Sequence, residues 1–85
     1  MLAFQDRLLR EEEDRFIDHR FNRALIIRLT KLRGAALDSF VVRYRPTVEF
    51  TESTTDYEFQ SYIKNAFIHY QKYTNMMNQL KKPND

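Results

Sequence analysis

Two histidines and one acidic run are the residues of this sequence whose types suit proton transfer or metal binding. His19 lies between an aspartate and an arginine, but neighbours in sequence point to different sides of a helix and cannot form a catalytic pair. His69 lies in an aromatic segment, and both histidines are interpreted as surface or boundary residues. The acidic run at residues 11–14 fans out around a helix in the same way, which is typical of a solvated face.

The sequence contains no motif typical of other kinds of catalysis either. The only glycine, Gly34, cannot by itself form a phosphate-binding loop, and no serine lies in a known nucleophile motif. The chain has no cysteine and its two histidines are far apart, so a structural zinc site is not expected. The sequence therefore predicts a protein that is not an enzyme, with no catalytic residue, no bound metal and no cofactor.

An arginine-rich face supports a sharper hypothesis. On a helix, Arg20, Arg23 and Lys31 lie broadly opposite an apolar stripe, with Arg28 at its flank. Such a basic face could bind phosphates. The alternative is a solvated face whose arginines pair with the acidic segments on either side. The formal net charge of +2 is small for a dedicated nucleic-acid binder, so nucleic-acid binding is kept as the alternative function.

The first segment, residues 2–33, has no proline or glycine and is rich in helix-forming residues, which predicts one long N-terminal helix. Its apolar residues recur every three or four positions on one face: Ile17, Phe21, Leu25, Leu29 and Leu32. Gly34 follows two basic residues, a combination that favours a helix end with the glycine in the left-handed conformation. A helix that continues through Gly34 stays open as an alternative.

The middle segment allows two interpretations. Residues 40–50 alternate between apolar and polar side chains, which predicts a possible β-strand that Pro46 would confine to a sheet edge. The other interpretation is a short helix over residues 35–44 that Pro46 ends, followed by an extended connector whose Val48 and Phe50 lie on the helices. The second is favoured slightly, because a lone strand has no obvious partner.

The last segment begins with Thr55 and Glu58 at the spacing of a capping box, and a helix is predicted from there to about Lys82. Its apolar residues again share a face: Phe59, Ile63, Phe67, Tyr70, Thr74 and Met77. The fold class is therefore predicted to be all-α, with residues 1–85 forming a single helical domain. Its expected architecture is a small helical bundle or helical hairpin.

A chain of 85 residues buries only about 60 to 65% of its unfolded surface, so its stability margin is thin. Disulfides and metals are not expected, which leaves self-association or a partner as the source of further burial. No apolar run approaches the roughly 20 residues of a membrane span, and the N-terminus lacks the apolar core of a secretory signal. A cytoplasmic location is expected.

Several apolar residues lie outside the two main stripes and widen the hydrophobic surface: Ile26, Ile27, Tyr62, Tyr73 and Met76. Burial in a three-element bundle could account for them. Aromatic residues, methionine and arginine are also enriched at protein interfaces. The sequence therefore predicts a protein-protein interaction module, an adaptor or small regulatory subunit, that forms a homo-oligomer or binds a partner chain through these five residues.

Overall fold

The computed structural model describes residues 3–81, with side chains described for residues 8–80, and within that range the chain forms five helices and no strand. They are α1 (Ala3–Arg20), α2 (Arg23–Thr30), α3 (Gly34–Arg43), α4 (Val48–Ser53) and α5 (Asp56–Lys81). The all-α class is confirmed. Residue 2 and Lys82, where the two long helices were predicted to begin and end, lie outside the described residues.

The prediction of one continuous helix over residues 2–33 is wrong, because the chain bends at Phe21 and Asn22. Asn22 is extended (φ −102°, ψ 157°), and its side-chain oxygen accepts a hydrogen bond from the Leu25 N–H at 2.9 Å. The amide group of the same side chain donates to the His19 carbonyl at 2.9 Å. Asn22 therefore caps the start of α2 and also satisfies a carbonyl at the end of α1.

The bend changes which residues of α2 face the core. Ile26 and Thr30 are buried, whereas Leu25 and Leu29, which were predicted to continue the apolar stripe, are only half-buried. The helix ends earlier than predicted, because Lys31 takes the left-handed conformation (φ 66°) and its N–H donates to the Ile27 carbonyl. Gly34 also has a positive φ of 59°, but it begins α3 instead of ending a helix.

The possible strand at residues 40–50 is not present, and the reason is local capping. α3 covers the first part of this segment, as the favoured interpretation predicted. Thr47 then accepts a hydrogen bond from the Phe50 N–H at 3.1 Å and starts α4, so the predicted extended connector is also wrong beyond Thr47. The alternating apolar and polar residues lie on two separate helices, α3 and α4, so the alternation does not correspond to the two faces of a strand.

The capping box at the start of α5 is present as predicted. The Thr55 N–H donates to the Glu58 carboxylate at 2.8 Å, and the Glu58 N–H donates to the Thr55 hydroxyl oxygen at 3.1 Å. These bonds satisfy donors that a helix start leaves without a partner inside the helix.

The core lies where the end of α1, the helices α2 and α3, and the first half of α5 meet. Phe21 occupies its centre, with ring centroids 6.4 Å from Phe40 and 6.3 Å from Phe59. The buried apolar residues are Ile17, Phe21, Ile26, Leu37, Phe40, Phe59, Ile63, Ala66 and Tyr70. The apolar stripe of α5 therefore passes through Ala66, which is buried. Phe67, which was predicted to belong to this stripe, is half-buried at the edge of the core.

Arg20 joins α1 to the start of α5. Its guanidinium donates to the backbone carbonyls of Thr51 and Thr54, the latter at 3.0 Å, and forms an ion pair with Asp56 at 3.2 Å. The same group lies 4.5 Å from the centroid of the Phe59 ring. One arginine therefore connects three helices at the end of α4, where backbone carbonyls need donors.

The molecule is elongated. Its radius of gyration is 16.0 Å, whereas a compact chain of this length would have about 12 Å. The longest extent is 59 Å, and α5 accounts for only about 39 Å of it at 1.5 Å per residue. The other helices therefore extend the molecule beyond the length of α5, and the last turns of α5 lie beyond the core.

Candidate interaction surface

The core residues of α5 belong to a longer repeat of the same helix. Apolar positions recur with alternating steps of four and three, which is the spacing of a coiled-coil seam. We refer to these positions as the α5 seam: Phe59, Ile63, Ala66, Tyr70, Tyr73, Met77 and Leu80. The first four are buried by the other helices of the chain, so the seam is the face by which α5 packs on its own fold.

The last three positions of the α5 seam extend beyond that cover. Tyr73 and Met77 are half-buried, and Leu80 is 75% exposed. Met76, which flanks the seam, is 61% exposed. No residue of α5 after Tyr70 is buried, up to Leu80. About two helical turns therefore carry an apolar face that the described part of the chain covers only in part, least at Met76 and Leu80.

At its start, this apolar face contacts α3. The guanidinium of Arg43, in the last turn of α3, lies 3.8 Å from the centroid of the Tyr73 ring, a cation-π contact. Arg43 thus orients Tyr73 at the boundary between the core and the exposed end of α5. Arginine, tyrosine and methionine are enriched at the centres of protein interfaces, and here an arginine stacks on a tyrosine beside the exposed Met76.

A network of three tyrosines and a histidine fastens the middle of α5 to the end of α3. The Tyr62 hydroxyl donates to the Tyr44 carbonyl at 2.7 Å, and the Tyr44 hydroxyl lies 2.8 Å from His69 Nδ1. The Tyr70 ring packs edge-on against Tyr44 at 6.0 Å. Burial, with a smaller contribution from the nearby Tyr44, raises the pKa of Tyr62. This network gives Tyr62 and His69 structural partners within the chain.

A second exposed apolar surface lies at the opposite end of the molecule, between α1 and α4. Leu9 and Phe16 of α1 and Val48 of α4 form its apolar floor, and we refer to it as the acidic groove because three carboxylates line it: Glu12, Glu13 and Glu52. Leu9 and Phe16 are both exposed. The groove has a volume of about 240 Å³, which is below the roughly 300 to 1,000 Å³ of drug-sized ligand pockets.

The electrostatics of α1 differ between its two faces. Asp14 and Asp18 form ion pairs with Arg45, at 3.3 Å and 2.5 Å, and this contact raises the pKa of Arg45. The glutamates of the acidic groove form no ion pair within the described side chains. The groove therefore presents negative charge around an apolar floor.

The five residues predicted to bind a partner do not form one surface. Ile26 is fully buried, which makes it a core residue of this fold. Ile27 and Tyr62 are half-buried and pack against the core. Only Tyr73 and Met76 lie together on the uncovered end of α5, and the structure adds Met77 and Leu80 to them. The alternating steps along the α5 seam are visible in the sequence, but a seam alone does not show where its cover ends.

The four residues of the predicted basic face do not form one surface either. Arg20 is engaged at the helix junction, and Arg23 forms an ion pair with Asp38 at 2.6 Å. Arg28 and Lys31 are exposed at the end of α2. The described residues contain no group of three or more histidines, aspartates or glutamates that could bind a metal ion.

Among residues 3–81, no helix combines the length and apolar character that crossing a membrane requires. Comparison of the chain with family models, with curated proteins and with solved structures finds no match.

Proposed function

We propose that this chain is a non-enzymatic protein-protein interaction module, an adaptor or small regulatory subunit, that binds a helix of a second chain through the exposed end of α5. The observation that carries the proposal is the continuation of the α5 seam, over Tyr73, Met77 and Leu80, past the helices that cover its first four positions. A helix packed on this end would extend the packing that Phe59 to Tyr70 already make within the chain.

The energetics favour such a contact. Fully burying a leucine or methionine side chain contributes roughly 1.5 to 3 kcal/mol, and Leu80 and Met76 have most of that area still to bury. A helix end outside its fold is also a marginal structure by itself, since helices in water gain most of their stability from packing. A second chain would stabilise residues 73–80 and bury their apolar face in one step.

Nucleic-acid binding has less support. Two of the four residues of its predicted face, Arg20 and Arg23, already hold carboxylates or carbonyls of the same chain. Arg28 and Lys31 alone would neutralise few phosphates, and affinity for nucleic acid grows with the number of phosphates neutralised.

Site-specific photo-crosslinking tests the proposal. A photoreactive benzophenone side chain in place of Met77 lies on the α5 seam, and the same side chain in place of Ile68 lies on the exposed opposite face of α5 as the matched control. Ile68 is 51% exposed and Met77 is half-buried, so both side chains have some exposed surface in the isolated chain. The proteins are irradiated in an extract of the cells that make them, and crosslinked products are identified by mass spectrometry.

The proposal predicts a discrete crosslinked product from position 77 that is absent from position 68, and mass spectrometry shows whether it is a second copy or another protein. Equal, diffuse labelling from the two positions would contradict a contact at the α5 seam. A crosslink to nucleic acid from position 77 would replace the proposal with the alternative function.

A further inference from the structure

The acidic groove and the exposed end of α5 are complementary surfaces at opposite ends of one molecule. We propose that the end of α5 of one copy occupies the acidic groove of a second copy, so that the chain forms a reciprocal dimer. This inference rests on the proposed function, because it names the occupant of the α5 seam. It also assigns a role to the acidic groove, which the proposed function leaves unused.

The two surfaces match in length. Leu9 to Phe16 covers about 11 Å of α1 at 1.5 Å per residue, and Tyr73 to Leu80 covers the same distance along α5. On the groove side Leu9 and Phe16 lie one above the other, because residues seven apart share a face of a helix. The apolar face of the groove is thus two helical turns long, as is the uncovered part of the α5 seam.

The charges also match. The groove carries Glu12, Glu13 and Glu52 around its apolar floor, whereas the last turns of α5 carry Lys72 and Lys81 and no acidic residue. Opposite charges on the rim of an interface steer association and select the partner. A basic, apolar helix end is therefore the kind of occupant that this groove favours, and the chain itself supplies one.

The shape of the molecule allows both contacts to form together. The groove is lined by α4, which packs on Phe59 at the start of α5, whereas the exposed apolar face lies at the other end of that helix. Two copies placed antiparallel therefore bring each end of α5 to the groove of the other copy. Such an arrangement has twofold symmetry and closes without forming a filament. The two copies of the contact together bury the apolar faces of both free ends.

A charge-reversal experiment tests this arrangement. The groove variant carries Glu12→Lys and Glu52→Lys, and the helix variant carries Lys72→Glu and Lys81→Glu. Each full-length protein is purified, its helical content is checked by circular dichroism, and its dissociation constant is measured by sedimentation equilibrium. The variants are then mixed in equal amounts, because the mixed pair has opposite charges at both contacts.

The wild-type chain is expected to form a dimer, and each variant alone is expected to dissociate about tenfold more readily, since several exposed charge pairs become repulsive. The mixture should regain a dimer with a dissociation constant within about threefold of the wild-type value, a recovery of most of that tenfold change. Recovery on mixing excludes misfolding as the cause of the loss. It also shows that the groove of one copy binds the helix of the other.

Two results would overturn the inference. A wild-type chain that stays monomeric at all concentrations excludes the dimer, and a groove variant that dimerises as tightly as the wild type excludes the groove as the binding site. A different result would contradict the proposed function: the absence of a specific crosslink from position 77. A specific crosslink from position 77 to another protein, with a monomeric wild-type chain, would leave the proposed function standing and reject the dimer.

Discussion

At the scale of single residues, Arg20 is the side chain whose loss should affect the fold most broadly. It donates to the carbonyls of Thr51 and Thr54, pairs with Asp56 and lies over the Phe59 ring. Hydrogen bonds from a charged donor each contribute about 1.5 to 3 kcal/mol. We therefore expect Arg20→Ala to lower the free energy of unfolding by about 2 kcal/mol, measured by urea denaturation.

The matched control for this prediction is Arg15→Ala, in the same helix. Arg15 is exposed, so its replacement should change the free energy of unfolding by no more than about 0.5 kcal/mol. Equal effects of the two substitutions would show that Arg20 does not join the helices in the way its contacts indicate.

Residues that contact several elements are those that sequence reasoning places least well. Arg20 was assigned to a basic face because its charge and spacing fit one, but its carbonyl partners come from a segment more than 30 residues away. Ile26 was assigned to a partner surface for a similar reason, and the bend at Asn22 turns it into the core. Local sequence patterns predict neither the distant partners of Arg20 nor the burial of Ile26.

At the scale of the helices, the bend between α1 and α2 depends on one capping side chain. Asn22→Ala removes the acceptor of the Leu25 N–H and the donor to the His19 carbonyl. Loss of an N-cap typically costs about 1 kcal/mol, so the variant should unfold at a lower urea concentration. Asn65→Ala, in the exposed interior of α5, is the control and should leave the midpoint unchanged or raise it.

The capping box of α5 makes a prediction about pH. The hydrogen bond from the Thr55 backbone N–H, with a smaller contribution from the Thr55 side chain, lowers the pKa of Glu58 below its usual value of 4.5. A carboxylate whose pKa is lower in the folded state stabilises the fold above its unfolded pKa, and that contribution is lost as the pH falls through the folded pKa.

The variant Glu58→Gln keeps a neutral cap at every pH, so it isolates the contribution of the charge. The melting temperature of the wild type should exceed that of the variant at about pH 7, and the gap should shrink as the pH falls to about 3. Thermal denaturation followed by circular dichroism measures both. A gap that is the same at the two pH values would contradict the proposed stabilisation by the ionised carboxylate.

The helices differ in how well the sequence predicts them. The capping box and the long α5 follow from local signals, and so does the short helix before Pro46. α4 was missed because its six residues lie within an alternating pattern, and the capping role of Thr47 is visible only once the helix is known. A period of two is weak support for a strand when no second strand is available to pair with it.

At the scale of the whole molecule, the elongated shape is what separates the covered from the uncovered part of the α5 seam. The sequence shows a helix with apolar positions along its full length, and it predicts that some of them need a cover. It does not show that full burial of the seam ends at Tyr70, because the helices that cover the seam come from distant parts of the chain. The candidate surface at residues 73–80 therefore follows from tertiary structure.

The concentration dependence of amide hydrogen exchange tests most directly whether a second copy of the chain covers residues 73–80. If copies of the chain associate through the α5 seam, exchange of these amides should slow markedly from dilute to concentrated protein. Exchange at residues 59–70, whose seam side chains are already buried in the core, should change little. Exchange at residues 73–80 that is equally fast at all concentrations would contradict self-association through this surface.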